Sequence, residues 1–589
     1  MRARLFMAFF LLGFLVVGCT TGGDPTPMPE PDDPGLMCTP GQAVCDGFLR
    51  YVCGPSGERT QEELCPGACF TDGCGTCRPG QWRCDGEVST RCDREGRWEV
   101  VRDCAATGAM CGEAGVCADP CGEAAFAESN VGCEFWAAPL ANLEGPGELD
   151  FSTFDFRVAV ANANDTELQV RVFRGERQVA SRRVGPDRVE TVVLPWVDDQ
   201  SRWNLARGMT SFAVEDGAYR VVTDLPATVF QFNPYEYESD RRFSFSNDAT
   251  LLLPAHGLSG DYVGVSYAPV AQVLPGYLAV VATRDTRVEI TPSAPVAAEG
   301  AGLFFDAAAG ETVSVDLLRG QVLHLLPQTP PECTEARADA CEGESCFCAD
   351  RDFDLTGTRV AADQPVALFG GHVCANVPAN VGACDHLEAQ IPPLESWGKT
   401  AVAQALDAPE AGRRNILRLV AGQEAVEVRL DPAVDGVDLL SLGPLEHADL
   451  SFRGVHAIDA DGPMLAVTYM VGQEDAPRQE RGDPSMTALI PTEQYGDTYL
   501  FVAPESFGDG GSFLAVVRPV GADVRLDGVP LDATWRSVGE GREEATVGVR
   551  AGVHRLRSSA PVSAVSFGLG RFTSYAYPSG FRLQRINLF

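Results

Sequence analysis

Alternation of apolar and polar residues dominates the chain from about residue 134 onward. Every second residue is apolar in the segments 287–290, 312–317, 426–430 and 523–528, which is the pattern of a strand with one buried face. No long amphipathic helix interrupts these segments. The pattern therefore predicts an all-β region.

One phrase occurs four times in this region. A turn that contains proline is followed by an apolar run at Asp224–Phe232, Asp363–Gly371, Asp461–Met470 and Ser559–Gly568. Each copy leads to a proline-marked stop, at Pro254, Pro392, Pro491 and Pro578. Repetition at roughly a hundred residues indicates an array of one β unit.

The prolines of the phrase suggest where core strands begin. Proline fixes φ and lacks an N–H, so it is tolerated at the first residue of a strand. We expect core strands to start at Pro226, Pro365, Pro463 and Pro561. The core residues that follow are expected to include Val229, Leu368, Val467 and Val565.

The four copies divide the β region, residues 121–589, into units of about 134–255, 256–393, 394–492 and 493–589. We predict a tandem array of β-sandwich-like units. The alternative is a four-part propeller-like ring, because four copies could close on themselves.

Length and charge narrow the class of protein. A chain of 589 residues exceeds the size of one core and is expected to form several domains. It has 46 basic and 82 acidic residues, with a net charge of -36. Nucleic acid and anionic lipid surfaces are therefore disfavoured as partners.

The amino terminus has the features of an export signal. Arg2 and Arg4 precede an apolar run at 5–17 that is short for a membrane span. The run ends in Val-Val-Gly-Cys19, which resembles the bacterial lipobox. We predict a lipoprotein signal peptide at 1–18 and lipidation of Cys19; the alternative is a signal peptide with an incidental cysteine.

The segment after the signal predicts a membrane-anchored body. Residues 19–37 are rich in proline, glycine and acid, which is typical of an extended spacer. Thr20 stands where an aspartate would favour inner-membrane retention, so the resemblance implies outer-membrane anchoring. The sequence leaves open whether the body faces the periplasm or the cell surface.

The cysteine pattern predicts two small disulfide-rich modules before the β region. Of 21 cysteines, 20 remain after Cys19, an even number that suits an exported protein. Six fall in a module at 38–76 and six, with matching spacing, in a module at 77–120. Modules this small need covalent cross-links for stability, so we expect three disulfides in each, with the pairing undetermined.

The module junctions also offer ligand-like cysteine gaps. Cys74 with Cys77, and Cys117 with Cys121, have spacings that zinc sites use, but export favours disulfides. We expect Cys121 to pair with Cys133 at the start of the β region.

The second unit contains the most specific motif, GGHVCANVPANVGACDHLEAQIPPLESWG at 370–398. It resembles the N-terminal domain family of IgGFc-binding proteins, in which GH-x-C, CDH and PP-x-x-x-WG segments follow one another. QFNP at 231–234, SNDATLLLP at 246–254 and VGCEFWA at 131–137 are similar to its bacterial members. The similarity covers roughly residues 119–589, and the Cys-rich modules look like repeats of myxobacterial surface lipoproteins.

The resemblance implies an extracytoplasmic binding or adhesion role without known catalysis. We therefore expect a lipid-anchored protein that binds another protein or a glycan. A self-associating scaffold of the envelope or extracellular matrix is the alternative, and a hydrolase is a more remote one.

The same motif offers two interpretations of its cysteines and histidines. His372, Cys374, Cys384 and His386 could together bind zinc. A Cys374–Cys384 disulfide is favoured because exported proteins are oxidised. We predict no metal site and no catalytic residue.

The candidate binding loop is assigned to the second unit, between about Cys333 and Trp397. Its candidate residues are His372, Asp385, His386, Glu388 and Trp397. Asp385, His386 and Glu388 could serve hydrolysis, but no nucleophile motif accompanies them.

An insertion in this unit has its own features. Cys333, Cys341, Cys346 and Cys348 are expected to staple it with two disulfides. The acidic turn that follows, Asp350–Asp354, is similar to a calcium loop but lacks its glycine and final glutamate. No cofactor is predicted, and weak calcium binding is left open.

Overall fold

A computed structural model describes residues 39–587, except 66, 68, 72, 87, 105, 107–108, 110, 113–114, 118–119, 127–128, 145–150, 240–241, 299–302, 305, 336, 339, 343–344, 349, 410–411, 476–480, 508–510 and 540. The predicted signal peptide 1–18, the predicted lipidation site Cys19, the predicted linker 19–37 and Cys38 lie outside the described residues. The chain divides into two compact bodies, Met1–Arg78 with Glu95–Arg97, and Pro79–Arg94 with Trp98–Phe589.

The first body contains one antiparallel sheet of three short strands, β1 (Ala43–Asp46), β2 (Leu49–Cys53) and β3 (Arg59–Leu64). Disulfides join Cys45 to Cys69 and Cys65 to Cys74. Cys53 and Cys77 are also disulfide-bonded. The disulfides supply stability that so small a core cannot provide.

The second body begins with a similar three-stranded sheet and a short helix, namely β4 (Trp82–Asp85), β5 (Val88–Cys92), β6 (Trp98–Asp103) and α1 (Pro120–Phe126). Disulfides join Cys84 to Cys111 and Cys104 to Cys117, and Cys92 is also bonded. In both modules the second cysteine pairs with the fifth and the fourth with the sixth. A further disulfide joins Cys121 to Cys133.

Four strand-rich repeats follow. Repeat 1 contains β7 (Gly132–Ala137), β8 (Asn142–Leu143), β9 (Phe156–Asn162), β10 (Leu168–Arg174), β11 (Arg177–Val184), β12 (Arg188–Leu194), α2 (Asp198–Ser201), β13 (Arg202–Trp203), β14 (Phe212–Val214), β15 (Tyr219–Asn233), β16 (Glu238–Ser239), β17 (Arg242–Phe243) and β18 (Asp248–Leu252). Repeat 2 contains β19 (Ser259–Val263), β20 (Gly276–Ala282), β21 (Thr286–Thr291), β22 (Val313–Leu317), β23 (Val322–Leu325), β24 (Ala340–Glu342), β25 (Ser345–Phe347), β26 (Arg359–Ala375) and β27 (Asp385–Gln390).

The last two repeats have fewer additions. Repeat 3 contains β28 (Gly398–Gln404), β29 (Asn415–Ala421), β30 (Val426–Val434), β31 (Val437–Leu442), β32 (His447–Phe452), β33 (Val455–Met470) and β34 (Ser485–Ala488). Repeat 4 contains β35 (Gly496–Ala503), β36 (Ser512–Pro519), β37 (Val524–Leu526), β38 (Val529–Pro530), β39 (Arg536–Val538), β40 (Arg542–Val549), β41 (Gly552–Gly570) and β42 (Thr573–Pro578).

Each repeat is organised by one long strand that belongs to two sheets. These long strands are β15, β26, β33 and β41. The first half of β15 pairs with β7 and β10, and its second half pairs with β9 and β18. The other three long strands divide their partners in the same way. Each repeat is therefore sandwich-like, with two sheets that share a strand.

The sequence predicted that the prolines of the repeated phrase begin strands. This prediction is wrong, because the prolines lie inside long strands. Pro365 lies inside β26, between the residues that pair with β21 and those that pair with β20. Pro463 has the same place in β33, between the segments paired with β30 and β29. A missing N–H costs no ladder hydrogen bond at this switch between sheets. The core residues predicted after the prolines are confirmed as buried, namely Val229, Leu368, Val467 and Val565.

The repeats close on one another through their last strands. These inner strands are β18, β27, β34 and β42. They contact one another in cyclic order, so that the inner strand of repeat 4 lies against that of repeat 1. The predicted all-β, four-repeat architecture is confirmed, and it combines sandwich-like repeats with the ring closure that four copies allow.

Apolar packing crosses the repeat boundaries. One buried cluster contains residues of all four repeats, with Val402 from repeat 3, and another contains residues of repeats 2 and 3. Strands such as β20 and β29 are buried along their whole length because both of their faces are covered.

Within the described ranges, no helix combines the length and apolar character needed to cross a membrane.

Candidate functional site

The side chains expected to form a binding loop lie inside the protein. His372, Asp385, His386 and Glu388 have no exposed surface, and Trp397 is 1% exposed. His372 belongs to the long strand β26, while the next three belong to the inner strand β27. The prediction that they project from a loop is therefore wrong, because β27 is covered on both faces and its polar residues face other repeats.

Asp248, the first residue of β18, joins all four repeats. Its Oδ2 accepts hydrogen bonds from the backbone N–H of Glu388 at 3.0 Å and of Met486 at 3.1 Å. Its Oδ1 accepts from the Ser485 hydroxyl at 2.8 Å and from the Ala576 N–H at 3.3 Å. One carboxyl group of repeat 1 thus contacts the inner strands of repeats 2, 3 and 4.

The environment of Asp248 is costly for a charge. Burial raises the pKa of this carboxyl well above its usual range, and the nearby Glu388 side chain raises it further. Backbone N–H donors oppose the rise because they favour the ionised form. The hydrogen bonds therefore offset the burial of this group, which forms no ion pair with the residues that the structure describes.

Glu388 lies in a second part of the same buried network. Its carboxyl accepts hydrogen bonds from the Gln231 amide at 3.2 Å and the Asn233 amide at 3.1 Å. The His386 Nε2 atom lies 3.5 Å from Glu388 Oε2. Burial raises the pKa of Glu388 to about 8, against the effect of the two amides, and lowers the pKa of His386 to about 3.

Asp385 and Asp483 complete the network. Asp385 Oδ2 accepts from the Ser574 N–H at 3.3 Å, and the Asp483 N–H donates to the Ser574 hydroxyl at 2.9 Å. Asp483 Oδ1 accepts from the Gln473 N–H at 2.8 Å. Burial raises the pKa of both carboxyls well above their usual range, and the Asp483 charge adds to the rise at Asp385.

These contacts give the predicted residues structural roles. Cys374 and Cys384 form a disulfide, so they are not zinc ligands. His372 Nδ1 accepts a hydrogen bond from the Cys374 N–H at 3.0 Å, and burial lowers the pKa of this histidine to about 3. The acids and histidines proposed for hydrolysis have no solvent-accessible surface through which a substrate could reach them.

The four inner strands run in one direction, which gives the axis two different ends. Their carboxyl ends lead to the four proline stops. A cavity of about 30 Å³ lies there, lined mainly by apolar residues that include Trp397, Met464, Met486 and Ile490. Such a cavity holds little more than a water molecule.

A larger pocket of about 570 Å³ lies at the amino ends of the inner strands. We call it the axial pocket. Residues from all four repeats line it, namely Leu143, Phe243, Ser244, Phe245, Ser246, Cys374, Ala383, Cys384, Asp483, Arg571 and Phe572. Its volume falls in the range of small-ligand sites.

Aromatic rings form the walls of the axial pocket. The rings of Phe243 and Phe245 lie 5.6 Å apart and nearly parallel, and Phe245 meets Phe572 edge-on at 6.2 Å. Phe245 has φ 48° and Phe572 has φ 55°, a left-handed conformation that is strained for a bulky residue. Such strain concentrates at functional sites, and here both strained residues line the axial pocket.

Two polar groups complete the axial pocket. Asp483 is 1% exposed, and its Oδ2 has no hydrogen-bond partner in the part of the chain that the structure describes. The exposed Arg571 has its guanidinium 5.5 Å from the Phe572 ring centre. Aromatic faces beside a carboxyl and a guanidinium suit a sugar ring or a protein side chain as the bound group.

Sequence reasoning missed the residues of this pocket. Phe243 and Phe245 alternate with serines in RRFSFSN at 241–247, and the alternation itself was an available signal of half-exposed aromatic residues. Asp483 and Phe572 carry no comparable local signal, because only the closure of the repeats brings them together.

The acidic turn of repeat 2 is not arranged as a calcium loop. Asp354 is buried, and its Oδ2 accepts from Arg418 at 2.8 Å while its Oδ1 accepts from the Thr356 hydroxyl at 2.8 Å. In the preceding insertion, a disulfide joins Cys333 to Cys348 and Cys341 is also disulfide-bonded.

The fold and site define a disulfide-containing, all-β repeat protein whose four repeats close around a buried polar axis. A model of the family described as IgGFc binding protein matches residues 248–568, more than half of the chain. The chain belongs to this family. The match begins at Asp248, the residue that joins the four repeats, and ends within the long strand β41.

A curated human protein gives a similar result. The chain is 25% identical over 230 residues to a protein of Homo sapiens named IgGFc-binding protein. The similarity covers 38% of this chain and 4% of the human protein, so the chain spans a small part of that relative's length.

Proposed function

We propose that this chain is a lipid-anchored outer-membrane protein that binds a protein or glycan partner at the axial pocket, without catalysis. The observation that carries this proposal is that Phe243, Phe245 and Phe572 line one pocket together with the buried Asp483. Membership of a family described by binding supports the role.

A binding role also accounts for the use of the buried acids. Asp248, Asp385 and Glu388 accept hydrogen bonds from groups of neighbouring repeats, which stabilises the axis beneath the pocket. A rigid floor of this kind holds the aromatic walls in place, and pre-organised sites lose less entropy when a partner binds.

The partner is expected to insert one ring or side chain between the phenylalanines. Aromatic walls contribute binding through contact area and stacking. The human relative's name refers to the Fc part of IgG, and we take from that name only the role of binding, because the match covers 4% of that protein.

A paired variant tests the pocket. In Phe245→Asn/Phe572→Asn both rings are lost, while asparagine tolerates the left-handed backbone at these positions. The mature ectodomain and this variant would be compared on glycan arrays and on arrays of purified bacterial surface proteins. We expect the affinity for the retained partner to fall by roughly 10- to 100-fold, the loss of about one to two well-packed aromatic contacts.

The matched control removes an apolar side chain elsewhere. Leu439 is 51% exposed and lies on β31, outside the pocket lining, so Leu439→Ala should bind like wild type. Equal binding by the asparagine variant and wild type would contradict the proposal. Concentration-dependent self-association in analytical ultracentrifugation, lost in the same variant, would favour the alternative of a structural scaffold.

The anchor is tested separately. Cys19→Ala should abolish incorporation of radiolabelled palmitate and release the chain from the membrane fraction, since stable anchoring needs more than one acyl chain. Proteinase treatment of intact cells then distinguishes the cell surface, where the body is digested, from the periplasm, where it is protected. Unchanged labelling of the variant would refute lipidation at this cysteine.

A further inference from the structure

A cleft in the second body gathers arginines in an otherwise acidic protein. It has a volume of about 400 Å³ and lies between the β5–β6 hairpin and repeats 1 and 2. Five arginines line it, namely Arg91, Arg102, Arg220, Arg284 and Arg585. Three acids also line it, Glu99, Asp103 and Glu134, so positive charge is in excess although the chain carries -36.

Several of these arginines are held away from bulk water. Arg91 is 4% exposed, and the side chains of Arg220 and Arg585 are 21% and 13% exposed. A guanidinium in such surroundings interacts more strongly with an anion than an exposed one does. The cleft is therefore a preformed positive environment.

The acids nearby satisfy the arginines unequally. Arg585 Nε lies 2.8 Å from Glu395 Oε1, and Arg220 lies 3.7 Å from Glu134. Arg284 donates to the Val100 carbonyl oxygen at 3.0 Å. Within the described residues no carboxylate lies within ion-pair distance of Arg284.

Glu99 is the acid in the cleft that would compete with a bound anion for the arginines. It forms no ion pair within the described residues, although Arg284 and Arg585 act on it electrostatically. Burial raises the pKa of the Glu99 carboxyl, and these two arginines oppose the rise. An anion that enters the cleft would share its arginines with this group.

A neighbouring histidine is affected by the charges of two of these arginines. His256 lines the cleft and is hydrogen-bonded to the Ser129 carbonyl oxygen at 3.0 Å. Its pKa is lowered to about 4, mainly by burial, and Arg91 and Arg585 contribute to this shift. The charges of the two arginines thus add to the effect of burial in disfavouring a proton on this histidine.

We propose that this arginine cleft binds an oxyanion group, a carboxylate, sulfate or phosphate, with Arg284 as a direct donor. The guanidinium fork matches such groups geometrically, and charge-assisted hydrogen bonds are stronger than neutral ones. This site is separate from the axial pocket, and it gives a highly acidic protein one place where an acidic sugar or a phosphorylated group can bind.

Calorimetric titration of the mature ectodomain with sodium sulfate, sodium phosphate and sodium glucuronate tests the site. We expect saturable binding that weakens as chloride rises, because chloride is an anion that competes for the same guanidinium groups. Arg284→Gln should weaken binding about tenfold or more, the usual loss for a charged hydrogen bond. A larger response to glucuronate indicates an acidic sugar as ligand, and a larger response to phosphate indicates a phosphorylated group.

A second variant is expected to strengthen anion binding, the opposite of the effect of Arg284→Gln. Glu99→Gln removes the internal competing carboxyl and should tighten anion binding several-fold, roughly the effect of one weak like-charge contact. Arg429→Gln removes an exposed arginine of β30 that lies outside the cleft, and it should leave binding unchanged.

Three outcomes would overturn the proposal: no saturable binding of any of the three anions, equal affinity of Arg284→Gln and wild type, or weaker binding by Glu99→Gln. Circular dichroism and thermal melting of each variant exclude unfolding as the cause. Phe245→Asn/Phe572→Asn should retain anion binding, which separates a failure here from a failure of the axial pocket.

Discussion

Asp248 shows how much of the architecture depends on single side chains. Its two oxygens accept hydrogen bonds from three other repeats. Glu388 and Asp385 serve neighbouring contacts of the same kind. If such a buried acid lost its hydrogen-bond donors, the free energy of unfolding would fall by several kcal/mol, on the order of 1–3 kcal/mol for each lost charged contact. The network therefore stabilises one register of the inner strands over others.

The pKa of Glu388 predicts a pH dependence of stability. Its folded pKa of about 8 exceeds the ordinary value for a glutamate, so the folded state binds the proton more tightly than the unfolded state does. Stability from this group is present at acid pH and is lost as pH rises towards 8. The buried histidines have lowered pKa values, so they contribute no slope above about pH 6.5.

Glu388→Gln isolates this effect. Between about pH 6.5 and 8, the free energy of unfolding of wild type should fall relative to the variant by about 1.4 kcal/mol per pH unit. Urea denaturation at several pH values measures the difference, and the titrations of groups that do not interact with Glu388 cancel. A difference that stays constant across this range would show that Glu388 does not titrate as the structure implies.

At the scale of elements, the long strands explain why each repeat has two sheets. The first half of β26 pairs with β19 and β21, and the second half with β20 and β27. The disulfide between Cys374 and Cys384 then closes the segment between β26 and β27. This closed segment forms one wall of the axial pocket.

Removing this disulfide should affect both stability and binding. Cys374→Ser/Cys384→Ser opens a loop with a sequence separation of 10, and we expect a loss of about 2–3 kcal/mol. Partner binding at the axial pocket should weaken in parallel. Cys333→Ser/Cys348→Ser provides the control, because this disulfide lies in the insertion and outside the pocket lining. Equal partner binding by both double variants would show that the Cys374–Cys384 disulfide does not shape the axial pocket.

The left-handed phenylalanines allow a second prediction for an element. Phe572→Asn should leave the free energy of unfolding within about 1 kcal/mol of wild type, because relief of backbone strain offsets lost apolar burial. Phe243→Asn, at a residue without positive φ, should be more destabilising. Thermal unfolding compares the two, and a larger loss for Phe572→Asn would contradict the strain argument.

Local pattern predicted the strands but not their environment. The alternation at 426–430 and the repeated phrase are properties of short segments, so sequence alone identified the all-β repeats. The role of Pro365 depends on which strands pair on either side of it, and the burial of DHLEAQ at 385–390 depends on three other repeats. Both require knowledge of contacts far apart in sequence. The axial pocket was missed for the same reason.

At the scale of the whole molecule, the family match and the closure of the repeats agree. The matched region begins with the inner strand of repeat 1 and extends through repeats 2 and 3 into repeat 4. Repeat 1 contributes Asn247, whose N–H donates to the Thr573 hydroxyl of repeat 4 at 3.0 Å. First and last repeats are therefore joined by direct hydrogen bonds, and they fold as neighbours.

Hydrogen–deuterium exchange on Asp248→Asn tests most directly whether the four repeats close around Asp248. The amide group of asparagine would face N–H donors, so unfolding should become easier by about 1–3 kcal/mol. Exchange should rise at 385–390, 485–488 and 573–578, in all three other repeats. Asp438→Asn, at an exposed position, should change nothing. A rise confined to repeat 1 would contradict the closed arrangement.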